Sequence, residues 1–226
     1  MTLEAIVFDV NETLTDMSPL RQRFADVGLP PESLDSWFAG VLRDGFALTA
    51  LGGFRTFGEV AAGNLAGVLH HDQVAHILAG FPDLPTHPDV HDGMRTLAQT
   101  GLRLVTLTNG SVAMSEAVFT RAGVFHLLEH RLSVEDVRRW KPAPEPYLHA
   151  ARRCGLPVDR MALVAVHPWD VHGAQQAGMV GVWLNRTGTR YPSYLPAPDV
   201  VITDLRELTD AINDEMPGSA QSEEPG

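Results

Sequence analysis

Lysine is nearly absent from this chain: Lys141 is the only one among 226 residues, against sixteen arginines. Cysteine is equally scarce, and a single Cys154 excludes an internal disulfide framework and fits a reducing compartment. Such a lone thiol reads as a small buried residue. Positive charge is in deficit as well. Seventeen Lys plus Arg against twenty-eight Asp plus Glu give a formal charge of −11, which argues against a nucleic-acid or membrane-surface partner. An anionic substrate would therefore need a local basic pocket. No apolar run reaches the ~18 residues of a membrane span, and the start, M-T-L-E-A-I-V-F-D, has neither a basic segment nor a small-residue cleavage site. The expected compartment is the cytoplasm. No internal repeat is found.

What the sequence does contain is apolar material, 44% of it, enough to bury a sizeable core. Short apolar runs at Ala5 to Phe8, Arg103 to Leu107, Met161 to Val166, Val180 to Leu184 and Val200 to Ile202 alternate with helical stretches. That rhythm predicts an α/β fold, a Rossmann-like parallel sheet covered by helices. It breaks between about Ser18 and Phe81, where only amphipathic segments such as S-L-D-S-W-F-A-G-V-L-R-D-G-F-A-L occur. An all-helical cap inserted after the first strand is expected there, with the Pro-rich stretch F-P-D-L-P-T-H-P-D-V as its return linker. The expected domains are a core over 1–16 and 88–214, a cap over 17–87, and a solvated tail over 215–226, where apolar periodicity ends.

In open parallel sheets ligands bind beyond the carboxyl ends of the strands, and three of the expected strands run into polar clusters: F-D-V-N-E-T, L-T-N-G-S and V-H-P-W-D. The cap would sit over them. A lone Asp9 at a strand end also serves as a cap on the following turn. Asp9 is accompanied, however, by Thr13 four residues on, by the pair Thr108 and Asn109 after a later strand, and by Lys141-Pro142 in K-P-A-P-E-P-Y. The four short motifs F-D-V-N-E-T-L, L-T-N-G-S, K-P-A-P-E-P-Y and H-P-W-D, in this order over essentially the whole ordered chain, resemble the haloacid dehalogenase superfamily. The resemblance implies that Asp9 is a nucleophile forming a covalent intermediate. It also implies that Thr108 and Asn109 hold the reacting oxygens, and that Lys141 neutralises the nucleophile. Composition supports Lys141 independently. A sequence that uses Arg elsewhere keeps one compact ammonium, which fits between two carboxylates where a planar guanidinium does not; the bland alternative is a solvent-exposed lysine.

Asn11 narrows the chemistry. Phosphatases of this superfamily carry a second Asp two residues after the nucleophile to protonate the leaving alkoxide, and acidic residues after the fourth strand to hold Mg²⁺. Here Asn11 occupies the first position, and the later stretch offers only Asp170, with His167 ahead of it. A halide leaving group needs no proton donor. The chain is therefore similar to the type II (L-2-haloacid) dehalogenases. That likeness implies attack by Asp9 on the α-carbon of a short carboxylic acid, then hydrolysis of the ester by water with inversion, without metal or other cofactor.

The same likeness places Phe38 where that family carries a halide-receiving arginine, with Arg43 about a turn and a half further on. His167 stands where the family has Asn; it is expected either to donate an N–H to the departing halide or to act as base toward the hydrolytic water. Trp37, Phe38, Phe57, Tyr147 and Trp169 are expected to wall the pocket, or else to pack between cap and sheet. Asp170 is expected to serve the hydrolysis. The remaining histidines show no metal-ligand spacing. The expected partner is a small anionic haloacid, fluoroacetate included, with a homodimer left open. A phosphatase of the same fold, or a binding protein that has kept the fold without turnover, remains the alternative.

Overall fold

The computed structural model describes residues 2–215. Its centre is a six-stranded sheet in the order β3-β2-β1-β4-β5-β6 with every pairing parallel. The strands are β1 (Ala5–Phe8), β2 (Arg103–Thr108), β3 (Leu128–Ser133), β4 (Met161–Ala165), β5 (Val180–Leu184) and β6 (Val200–Ile202). All four residues of β1, A-I-V-F, are buried, as a central strand covered on both faces requires. Ile6 and Phe8 face the larger apolar cluster, which continues up into the cap, while Ala5 and Val7 face the smaller one beneath. This division follows from the two-residue period of a strand.

One strand was not expected. The β3 segment L-E-H-R-L-S carries three charged or titratable side chains, of which Glu129 is exposed. It lies at the edge of the sheet beyond β2, so it needs no continuous apolar run, and the apolar-run criterion passes over it.

Between β1 and the core helix α5 (Val90–Gln99) lie four helices: α1 (Leu20–Asp26), α2 (Ser33–Ala50), α3 (Phe57–Ala66) and α4 (His71–Leu78). These form the helical cap. Thr56 and Glu59 close a reciprocal capping box at the start of α3, which satisfies two otherwise orphaned backbone donors. Phe24, Trp37 and Phe81 pack edge to face or tilted at 5.4 and 6.2 Å, and Trp37 Nε1 donates to Ala61 O. Trp37 is thus a cap-core residue rather than a pocket wall. The outgoing and returning chains lie side by side where they join the core. Thr15 and Thr86 form an antiparallel bridge, Asp16 N donates to Pro85 O, and His87 N donates to Leu14 O.

The remaining helices are α6 (Val112–Arg121), α7 (Pro144–Cys154), α8 (Pro168–Gln176) and α9 (Leu208–Glu215). Helix α7 begins with Pro144 in its first turn and stops at Gly155, whose φ of 64° suits a left-handed C-terminal residue. Glu215, assigned to the tail from the sequence, instead closes α9; the rest of that expected tail, 216–226, lies outside the described residues. Among the described residues no helix is long and apolar enough to cross a membrane.

Candidate active site

Strand order places the site. The chain winds outward in both directions from β1, so the carboxyl ends of β1, β2 and β4 meet at one crevice. Asp9 follows β1, Asn109 follows β2 and His167 follows β4. Lys141 comes from the loop before α7 and Asp170 from the first turn of α8.

Asp9 is 4% exposed and accepts three side-chain hydrogen bonds. Lys141 Nζ donates to Oδ1 at 2.9 Å, while Thr13 Oγ1 donates to Oδ2 at 2.7 Å and His167 Nδ1 lies 3.1 Å from the same Oδ2. The Thr13 hydroxyl is oriented from behind, because it accepts Val166 N–H at 3.1 Å and so points its own proton at Asp9. Burial alone would raise the Asp9 pKa, yet the Lys141 charge and the His167 bond hold the carboxyl well below its usual range.

Lys141 is wholly buried and spends its three protons on Asp9 Oδ1, on Asp170 Oδ2 at 2.5 Å and on the Leu107 carbonyl at 2.9 Å. Burial opposes its charge, but the two carboxylates outweigh it and raise the pKa above the ordinary lysine value. This is the ammonium between two carboxylates anticipated from composition. Asp170 is held on its other oxygen by Tyr147 OH at 2.6 Å. Its pKa is raised by burial, with Lys141 acting against the shift. Tyr147, expected to wall the pocket, is fully buried below the site, and its hydroxyl belongs to Asp170; burial raises its own pKa.

His167 is the second cation. Its Nε2 lies 2.8 Å from Glu12 Oε2, so the ring spans two carboxylates, Asp9 and Glu12. Burial works against its charge, but the bonds to Asp9 and Glu12 prevail and push the pKa up to about 9. The ring is therefore an imidazolium with both N–H groups donating. Trp169 and Phe38 flank it at 5.0 and 6.4 Å between ring centroids.

Beside the carboxylate cluster is a cavity of about 20 Å³, on a measure by which one water needs about 10–15 Å³. Asn11, Thr108, Gly110 and Ser111 line its polar side, Phe57, Phe81 and Met114 its apolar side. The N-terminus of α6 opens here, with Met114 N–H bonded to the Ser111 hydroxyl; the first N–H groups of a helix lack intrahelical partners and suit an anion. Asn109 Oδ1 accepts Lys141 N–H at 2.9 Å, which leaves its Nδ2 buried with no partner. A buried donor without a protein partner at such a place is available to a ligand or a water.

The structure thus brings Asp9, Thr13, Lys141, His167 and Asp170 into one cluster, with Asn11, Thr108, Asn109 and Phe57 beside it. Arg43 is not there. Its side chain is 73% exposed and paired with Asp44 at 2.8 Å. Five positions beyond Phe38, it lies at 140° from it around α2, since each helical residue turns by about 100°. Trp169 packs on His167 and on Phe46, at 4.9 Å between centroids, away from the cavity lining.

Sequence reasoning missed three residues. Glu12 adopts φ 63°, unusual for a residue other than glycine, and this turns its side chain toward His167. His87, assigned to surface or packing, bonds through Nε2 to the Glu12 carbonyl at 3.0 Å; burial and Arg186 lower its pKa. Trp140 packs so close to α2 that a Cβ on Gly45 would lie 2.4 Å from its ring, while its Nε1 donates to Arg55 O at 2.9 Å. The position of Trp140, next to the only lysine, was the one available signal.

A sequence model of the haloacid dehalogenase-like hydrolase family matches residues 3–178. Among characterised relatives, an (S)-2-haloacid dehalogenase of Pseudomonas sp. strain YL is 34% identical over 133 residues, 59% of this chain and 55% of that one. A haloacetate dehalogenase of Moraxella sp. strain B is 27% identical over 211 residues, 88% of this chain and 93% of its own. The alignment thus spans about half of the first relative and nearly all of the second. A crystal structure of an L-2-haloacid dehalogenase superposes with a TM-score of 0.85 at 28% identity, covering 93% of this chain and 98% of the other.

Proposed function

The chain belongs to the haloacid dehalogenase-like hydrolases, and we propose the following course for the hydrolytic dehalogenation of short 2-haloalkanoic acids that it carries out. The haloacid binds beside Asn11 and Thr108, and because the cavity there has room for only about one water, the cap must move aside to admit it. Its carboxylate is received by the α6 N-terminus and by Thr108, where backbone donors compensate the lack of a pocket arginine. Asp9 attacks the α-carbon from the face opposite the halogen and forms an ester as halide leaves with the bonding electron pair. The Asn109 amide is the donor free to meet the halide or a substrate oxygen.

The observation that carries this reading is the pairing of buried Asp9 with Lys141 while Asn11 stands beside the cavity. The nucleophile is ionised and stripped of water, and the residue two places on has no acidic proton for a leaving group. His167 touches the nucleophile itself, whereas backside displacement sends the halide to the far side of the carbon. Ester hydrolysis is therefore the step favoured for His167, but as a hydrogen-bond donor and not as the base toward water expected from the sequence, because the ring already carries its second proton. Asp170 takes the proton of the hydrolytic water, a task suited to a carboxyl whose pKa burial has raised. Cytoplasmic residence is part of this reading. A halide-release assay over fluoro-, chloro- and bromoacetate and both 2-chloropropionates, with EDTA present, tests it. Release from at least one acid is expected, and silence on all of them refutes it.

A further inference from the structure

The two oxygens of Asp9 are not equivalent. Oδ1 accepts one hydrogen bond, from Lys141, and keeps a free lone pair; Oδ2 accepts two, from Thr13 at 2.7 Å and His167 at 3.1 Å. A carboxylate oxygen has about two in-plane acceptor sites, so Oδ1 is the one able to attack carbon. Oδ2 then becomes the carbonyl oxygen of the ester, and when water adds to the ester carbon, negative charge develops on that same atom. Donors about 2.7–3.1 Å from such an oxygen constitute an oxyanion hole. The oxyanion here is an atom of the protein itself, so its donors are already in place in the free enzyme.

Ester formation removes the Asp9 charge, one of the two carboxylates that keep His167 protonated. The other is Glu12, 2.8 Å from Nε2. Its side chain is 43% exposed, against 13% for His167, on the wall of a second cleft of about 510 Å³. His87 pins its backbone carbonyl at 3.0 Å, in the left-handed conformation that aims the carboxylate inward. We propose that Thr13 and His167 form an oxyanion hole around Asp9 Oδ2, and that Glu12 is the positioning residue that keeps the imidazolium in it after Asp9 has been esterified. This rests on the reading of Asp9 as nucleophile given above.

Water adds to Cγ of the ester and gives one proton to Asp170, while Oδ2 becomes the oxyanion held by Thr13 and His167. Collapse breaks the bond between Cγ and Oδ1, and the hydroxy acid leaves with its alkoxide protonated by the remaining proton of the added water. The Asp9 carboxylate then consists of Oδ2 and the water oxygen, and Asp170 releases its proton to solvent. His167 keeps its proton throughout. The ionisable groups around it are Asp9, Glu12 and, through Asp9, Lys141 with Asp170. Asp16, neutral His87, Arg186 and the Arg21 and Asp35 pair line the adjoining cleft. From the cap the Phe38 ring, which carries no charge, lies tilted against it.

Rapid-quench kinetics with (S)-2-chloropropionate separate the halide-forming and ester-hydrolysing steps, with mass spectrometry of the Asp9 peptide to detect the ester. Glu12→Gln should retain a halide burst of about one equivalent, accumulate ester, and hydrolyse it about 10²-fold more slowly at pH 8, the scale of losing one oxyanion donor. Without Glu12 the imidazole returns toward its ordinary pKa of ~6.5. Hydrolysis by the variant should therefore recover as pH falls toward about 6, while in the native enzyme, where Glu12 still raises the His167 pKa after Asp9 has been esterified, the loss sets in at a higher pH. Glu12→Asn, whose short side chain tolerates positive φ, should behave alike and guards against a folding defect in the first variant. Native-like hydrolysis across this range overturns the proposal, as does a loss independent of pH or an equal loss in the halide-forming step. Native enzyme that yields neither halide nor Asp9 adduct with this acid or with any other of the haloacids named above would instead overturn the underlying reading.

Discussion

Lys141, wholly shielded from solvent, holds its ammonium nitrogen 2.9 Å from Oδ1 of Asp9. The same ammonium reaches Asp170, so one positive charge serves two buried carboxylates. Lys141→Arg keeps the charge but changes its shape in a site without spare volume. We expect kcat to fall by at least ~10²-fold and stability to fall by about 1–3 kcal/mol from overpacking. Denaturant unfolding together with steady-state kinetics checks both. An arginine variant of near-native activity would show that any cation suffices there.

The charge on His167 has a consequence for stability. Its pKa in the folded protein, about 9, exceeds the ~6.5 of an unfolded imidazole. Its contribution to stability is therefore complete below about pH 6.5 and is lost as pH rises through about 9. The upper bound is about 3 kcal/mol at 1.36 kcal/mol per pKa unit. Urea unfolding between pH 6 and 10 should show this decline, and His167→Asn should flatten it. A native stability curve that rises across the same interval would mean that the ring is neutral.

Gly45 tests how the cap is seated on the catalytic loop. A methyl group there would press into the Trp140 ring, one residue before Lys141, and so push α2 away from the loop that carries the lysine. Gly45→Ala should raise KM for chloroacetate by about 10-fold or more, at a cost in stability of about 1–3 kcal/mol. Unchanged KM with unchanged stability would show that α2 can withdraw from Trp140 freely.

The sequence revealed best what lies at strand ends. Asp9, Asn109 and His167 each follow a run of apolar residues, so the periodicity that locates a strand also locates the side chain at its carboxyl end. Lys141 lies in a loop, and only its uniqueness among the cations made it visible. Residues whose role depends on backbone conformation or on contact across domains were hidden. Glu12 reaches His167 through a positive φ, and Trp140 meets a glycine ninety-five positions earlier in the chain. Arg43 shows the opposite error: near the expected place in sequence, it is carried by the helical turn out to solvent. Strand β3 escaped because an edge strand need not be continuously apolar.

The most direct test of the account is the fate of oxygen in a single turnover. With enzyme in excess over (S)-2-chloropropionate in ¹⁸O-water, attack by Asp9 predicts lactate carrying unlabelled hydroxyl oxygen and one labelled oxygen in the peptide containing Asp9. Label in the lactate hydroxyl, with Asp9 unlabelled, would mean that water attacks the carbon directly and that Asp9 is not the nucleophile.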